Sequence, residues 1–196
     1  MISEHDVVTS NWRRNLTIAI VCSAAGIAIS GCGILPSFSA GAFPRVSIPS
    51  EIAASSTQKL ELIVAATGIQ IYRCDAKAGA PGIYEWVFQA PEAVLRDVGG
   101  KHVGKHYAGP TWEAEDGSRI VGTVEARRDA PDKSSIPWLR LTTRSTAGSG
   151  TFSPVTAILR VSTTGGMPPQ GRCSEPDHGR ILRVDYTADY YFYVNR

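Results

Sequence analysis

The chain has 196 residues, of which 43% are hydrophobic and 19% charged, and its formal net charge at pH 7 is +2. This is an ordinary globular composition with enough apolar material for one core. No basic run follows residue 14, so the electrostatic footprint of a nucleic-acid-binding protein is missing. The 19 glycines and 12 prolines favour many short strands joined by turns over long helices.

The N-terminal segment has the pattern of an export signal. Two arginines at residues 13–14 precede an uncharged, mostly apolar stretch at residues 16–29. That stretch is shorter than the roughly 20 residues that a membrane-spanning helix needs. A charged start followed by a short apolar stretch is typical of a signal peptide. We therefore expect the protein to be exported to the cell envelope or secreted.

The end of this segment indicates a lipid anchor. Residues 29–32 read Ile-Ser-Gly-Cys, which resembles a bacterial lipobox, so residues 1–31 form a predicted signal peptide of the lipoprotein type. Lipidation of Cys32 would attach the chain to a membrane, and two or more acyl chains make such attachment stable. The alternative is ordinary cleavage after Ala42, with Ala40 as the second small residue. Residues 32–48 are rich in Gly, Pro and Ser and are predicted to be a flexible tether, which leaves residues 49–196 as the folded domain.

The domain is predicted to be all-β, because its apolar residues alternate or run over strand lengths and no segment has a helical period. Gly68 marks a predicted turn or bulge between the first two segments, and Asp116-Gly117 is the strongest hairpin signal. About ten short strands favour a single antiparallel sandwich or barrel. The main predicted segments are 60–64, 69–74, 84–89, 102–107, 111–114, 119–126, 138–145, 153–162 and one or two strands within 180–194.

The last strand carries four adjacent aromatic residues. If this strand is extended, Tyr191 and Tyr193 face one way, and Tyr190 and Phe192 face the other. Burial of these rings in the core is the favoured interpretation, and an exposed aromatic platform is the alternative.

Two cysteines remain once Cys32 is assigned to the lipid and Cys22 to the apolar part of the signal. An exported domain with two cysteines is expected to pair them, so a disulfide between Cys74 and Cys173 is predicted. The alternative is two separate buried thiols. Neither cysteine belongs to a CxxC pair, and no histidine cluster accompanies them, so no metal site is predicted there.

Seven segments spread over the domain carry a family resemblance. They are PSEI at 49–52, ATGIQIYRC at 66–74, YEWVF at 84–88, HYAGPTWE at 106–113, IPWL at 136–139, GTF at 150–152 and YTADYYFY at 186–193. With these segments the domain resembles the DUF3455 family. This resemblance implies a shared fold and typical export, and it implies no established reaction, ligand or catalytic residue.

The densest cluster of chemically useful side chains forms the candidate ligand site: His106, Tyr107, Trp112, Glu113 and Asp116. The Gly-Pro pair at residues 109–110 fixes the backbone path, which should hold His106 and Trp112 close together. Aromatic faces beside carboxylates are typical of sites for carbohydrates and other polar ligands. The alternative is that Trp112 fills the core and the Gly-Pro pair shapes a corner.

The function favoured by these patterns is an exported, lipid-anchored envelope domain that binds a polar ligand or partner without catalysis. One alternative is an extracytoplasmic hydrolase that uses the region of His106, Glu113 and Asp116. A second alternative is a purely structural lipoprotein. No cofactor is indicated, and His102 and His106 would lie roughly 13 Å apart on a straight strand, too far to share one metal ion.

Overall fold

The computed structural model describes residue 43, residues 46–171 and residues 173–196. The predicted signal peptide, the predicted lipidation site at Cys32 and most of the predicted tether lie outside the described residues. Within the described part of the chain, no helix is both long enough and apolar enough to cross a membrane.

Eight antiparallel strands form one closed barrel. Each strand pairs with the next along the chain, and the last pairs with the first. The predicted all-β antiparallel fold is confirmed, and of the two predicted forms it is the barrel that is found. The strands are β1 (Gln58–Ala76), β2 (Tyr84–Arg96), β3 (His102–Tyr107), β4 (Thr111–Ala114), β5 (Arg119–Arg128), β6 (Trp138–Ala147), β7 (Val155–Gly165) and β8 (Ile181–Asn195), with short 3-10 turns at Ser50–Ile52 and Glu175–Asp177.

The strands number eight rather than about ten because β1 is longer than predicted. It runs through Gly68 without a break, and Gly68 pairs with Ala93 on one side and Tyr186 on the other. A Cβ atom at Gly68 would lie 2.0 Å from the Glu92 carbonyl oxygen. The glycine therefore lets β1 and β2 approach closely, as a small barrel requires, and it does not mark a turn.

Side chains that alternate along the strands form two apolar clusters, one inside the barrel and one outside. On β8, Tyr190 and Phe192 belong to the inner cluster, whereas Tyr191 and Tyr193 belong to the outer one. The core interpretation of these aromatics is therefore confirmed. Ile52, which is fully buried, extends the outer cluster from the 3-10 turn that precedes β1. Full burial of such a side chain contributes about 1.5–3 kcal/mol.

The predicted disulfide is present. Cys74 and Cys173 are joined with an S–S distance of 2.03 Å and a sequence separation of 99 residues. Cys74 lies near the end of β1, and Cys173 lies in the connection between β7 and β8. The bond therefore fastens this long connection to the end of the barrel from which it emerges.

Candidate ligand cavity

The barrel wall has a gap because β3 and β4 are short. Strand β2 pairs with β3 only from Ala93 to Arg96, and β5 pairs with β4 only from Arg119 to Val121. Beyond these pairs, β2 and β5 continue on either side of the β3–β4 turn at residues 108–110. Pro91 lies in this part of β2, where an edge without a neighbouring strand tolerates a residue that has no N–H. The gap therefore lies between β2 and β5, next to the β3–β4 turn, and leads into the interior of the barrel.

A cavity of about 310 Å³ lies at this gap. That volume is at the lower end of the range of about 300–1,000 Å³ for small-molecule sites. Phe88 and Val124, each 48% exposed, lie at its mouth together with Leu139. Trp112 and Tyr190, each 1% exposed, line its deeper part. The walls are therefore mostly apolar and aromatic.

The floor of the cavity is built around a stack of His106 on Trp112. The two rings have centroids 4.4 Å apart and are inclined by 16°, and the Tyr190 ring meets both edge-on. The expected proximity of His106 and Trp112 is thus observed. Gly122 makes room on the neighbouring strand, because a Cβ atom there would lie 3.0 Å from the Trp112 ring and 3.3 Å from Leu141.

His106 is a neutral side chain at neutral pH. Its Nδ1 lies 2.8 Å from the carbonyl oxygen of Thr111. Its pKa is lowered from 6.5 to about 3, chiefly by burial; the hydrogen bond to Thr111 opposes this shift, and the charge of Arg160 makes a smaller contribution in the same direction as burial. A neutral ring that donates from Nδ1–H to a carbonyl keeps Nε2 as an acceptor.

Two donors in the cavity wall have no hydrogen-bond partner. They are Nε1 of Trp112 and the hydroxyl of Tyr190. Burial raises the pKa of Tyr190, and the proximity of Arg160 and the Tyr186 hydroxyl opposes that shift. The phenol is therefore un-ionised and can donate. A buried donor without a partner costs about 1–3 kcal/mol, and both of these atoms are shielded from solvent behind the cavity surface.

Among the described residues that line the cavity, Arg160 alone has a formal charge at neutral pH. Its Nε and Nη2 donate to the carbonyl oxygen of Pro137, at 3.1 and 2.8 Å. A guanidinium has five N–H donors, so further donors remain for a ligand. Within the described part of the chain, no carboxylate forms an ion pair with Arg160.

The sequence analysis missed Arg160, although a signal was present. In the segment at 153–162, Ile158 and Arg160 share a face by the two-residue period of a strand, and Ile158 lies in the inner cluster. An arginine at a core-facing position of an otherwise apolar strand marks a buried charge that needs a partner.

Tyr107 and Glu113 lie on the opposite side of the barrel wall from the cavity floor. Both alternate with their neighbours His106 and Trp112, so they face outward. The Tyr107 hydroxyl donates to the Glu113 carboxylate at 2.6 Å, and Lys105 pairs with the same carboxylate at 3.2 Å. The bond from Tyr107, followed by that from Lys105, lowers the pKa of Glu113.

Asp116 is a structural residue of a turn. Its carboxylate accepts from the backbone N–H and the hydroxyl of Thr151, each at 2.7 Å, and from the backbone N–H of Ser118 at 2.8 Å. Hydrogen bonds from Ser118 and Thr151 hold the pKa of Asp116 well below its usual range. These bonds tie the β4–β5 turn to the loop before β7.

The five predicted site residues therefore do not form one site. His106 and Trp112 line the cavity, Tyr107 and Glu113 lie outside the barrel, and Asp116 holds a turn. Adjacent residues of a strand face opposite sides of the barrel wall, so residues that are close in sequence need not share a site. The arrangement required by the hydrolase alternative is also not found, because His106, Glu113 and Asp116 do not lie in one cleft. Among the described residues, no three His, Cys, Asp or Glu side chains lie close enough to hold a metal ion.

Comparison with known proteins adds a family. The family model described as "Protein of unknown function (DUF3455)" matches residues 54–194, which include the whole barrel except its extreme end. Neither the curated proteins nor the solved structures contain a match to the chain.

Proposed function

Because the chain belongs to the DUF3455 family, whose description names no activity, we propose a function from the geometry of the barrel itself. The protein is an exported, lipid-anchored envelope domain whose barrel holds a small ligand in the cavity at the β3–β4 gap. It binds this ligand without transforming it.

The observation that carries the binding proposal is an open, mostly apolar cavity with the Arg160 guanidinium in its wall. Burial of Trp112 and the dispersal of Glu113 and Asp116 also fit a purely structural domain. A structural barrel, however, has no need to keep an opening in its wall lined by exposed apolar side chains such as Phe88 and Val124 beside a cation. Specific binding sites are typically apolar pockets with a few such polar groups.

A neutral fluorescent probe tests whether the cavity is a binding site. N-phenylnaphthylamine has a planar apolar body, and its emission rises in dry apolar surroundings. It would be titrated into the full chain carrying Cys32→Ala, with and without Val124→Trp, which places a large ring at the mouth of the cavity. Val94→Trp is the matched control, because Val94 is 39% exposed and lies outside the cavity lining.

We expect saturable binding to the parent chain and at least about tenfold weaker binding to Val124→Trp, which corresponds to about 1.4 kcal/mol. Val94→Trp should bind like the parent. Probe can also bind the apolar stretch at residues 16–29, but all three proteins contain this stretch. Its contribution therefore cancels when their affinities are compared. If Val124→Trp bound the probe as tightly as the parent does, the cavity would not be the binding site.

Export and anchoring are supported by the pattern of residues 1–32. The charged start, the short apolar stretch and the Ile-Ser-Gly-Cys ending together predict a lipoprotein signal. Metabolic labelling with a fatty acid tests this, with Cys32→Ala beside the unchanged chain and Cys22→Ala as the matched control. Label should disappear only from Cys32→Ala. Equal label in all three proteins would refute lipidation at this position.

A further inference from the structure

We propose that the ligand of this cavity is a small organic anion, in which one carboxylate, sulfonate or phosphate group is joined to a compact, planar apolar body. This assignment rests on the proposed function and specifies its ligand. The anionic group would bind Arg160, and the body would lie between the aromatic rings of the floor and the apolar mouth.

The sign of the ligand charge follows from the lining. In the part of the chain that the structure describes, Arg160 contributes the only formal charge of the lining, and no aspartate or glutamate lines the cavity. His106 is neutral, so it neither adds a positive charge nor balances one. A partly buried cation without a carboxylate partner is costly, and the neutral carbonyl oxygen of Pro137 only partly offsets that cost. An anion is the species that would complete this site.

The chemistry of the anchor favours a group with two or more oxygen atoms. The guanidinium of Arg160 is planar, and its donors form a fork that matches carboxylate, sulfonate and phosphate oxygens. Charge-assisted hydrogen bonds of this kind are about twice as strong as neutral ones.

The shape of the body follows from the walls. The stacked pair of His106 and Trp112, with Tyr190 edge-on, provides flat aromatic surfaces. Offset or edge-on packing of rings is favourable beyond the burial of apolar area alone. A volume of about 310 Å³ favours one compact ring system over a long acyl chain. A lipid-derived fatty acid shares the anionic group but lacks the planar body.

The test compares two probes that differ by one charge. Anilinonaphthalene sulfonate is N-phenylnaphthylamine with an added sulfonate group, so the ratio of their affinities isolates the anionic contact. Both would be titrated into the full chain carrying Cys32→Ala, alone and with Arg160→Met. Arg144→Met removes the same charge from an exposed position outside the cavity lining and is the matched control.

We expect the sulfonate probe to bind the parent at least about tenfold more tightly than the neutral probe. Arg160→Met should abolish this preference, and Arg144→Met should keep it. Arg160→Lys retains the charge without the fork and should keep part of the preference. If thermal melting shows that Arg160→Met does not fold, the parent ratio and Arg160→Lys still decide the question. Bound sulfonate probe should be displaced by naphthoate and not by laurate.

The outcomes separate the two proposals. Equal affinity of the parent for both probes would overturn the anion assignment and leave the cavity as a neutral-ligand site. An unchanged preference in Arg160→Met would overturn the role of Arg160. Displacement by laurate as readily as by naphthoate would indicate an acyl chain and overturn the planar body. If neither probe bound, the proposed function itself would fail.

Discussion

His106 should make the stability of the barrel depend on pH over a range in which few other groups titrate. The side chain is 3% exposed, and its pKa is lowered from 6.5 to about 3, chiefly by burial. Its neutral form is therefore favoured in the folded state. The resulting stability is fully present above the unfolded pKa of 6.5 and is lost as the pH falls towards 3.

The size of the effect follows from proton linkage. One pKa unit corresponds to about 1.36 kcal/mol. At about pH 5 the unfolded chain has bound a proton at residue 106 and the folded chain has not, so the folded state loses about 2 kcal/mol relative to pH 7. This value changes little if the folded pKa is anywhere below about 4. Aspartate and glutamate titrate mainly at lower pH and contribute equally to a matched variant.

The assay is urea unfolding of the full chain and of His106→Asn, each at pH 7 and at about pH 5. Asparagine keeps a donor near the position of Nδ1 and cannot titrate. The variant should be less stable at both values, and it should lose about 2 kcal/mol less than the parent between them. Equal losses in the two proteins would refute the buried, neutral state of His106.

Two further changes should weaken the barrel in predictable ways. The first change removes the disulfide by Cys74→Ala with Cys173→Ala. It should lower the free energy of unfolding by up to about 4–5 kcal/mol, because the bond closes a loop of nearly 100 residues in the unfolded chain. An unchanged urea midpoint would contradict this. The second change, Gly68→Ala, should lower the urea midpoint strongly, because its Cβ would lie 2.0 Å from the Glu92 carbonyl oxygen. The control Gly99→Ala should have little effect, because its Cβ would meet only a side-chain oxygen at 3.3 Å. Similar midpoints for the two variants would contradict the close approach of β1 and β2.

Local patterns were sufficient to predict most strands. The segments at 102–107 and 111–114 coincide with β3 and β4, and the Asp116-Gly117 signal lies in the turn that follows. Turn chemistry and two-residue alternation are local properties, so a single sequence contains them. The prediction of a turn at Gly68 was wrong because the role of this glycine depends on another strand and not on its local sequence. A glycine that permits close approach to another strand has the same local appearance as one that makes a turn.

The cavity could not be predicted from local patterns. It exists because β2 and β5 extend past the short β3–β4 hairpin, and this depends on the register of four strands. The candidate residues from 106 to 116 were selected because they are close in sequence. Side chains alternate along a strand, so these residues lie on two different faces of the barrel wall. Arg160 reaches the same cavity from β7, a distant segment, and only the closed barrel brings it there.

The tryptophan indole N–H signals in the NMR spectrum test the central claim most directly. Trp112 and Trp138 each have a buried indole nitrogen without a partner, but only Trp112 lines the cavity, and Trp138 belongs to the outer cluster. Titration of the labelled full chain carrying Cys32→Ala with N-phenylnaphthylamine should move the Trp112 signal in a saturable manner and leave that of Trp138 in place. A stationary Trp112 signal at saturating probe, or a shift of Trp138 alone, would contradict ligand binding inside the barrel.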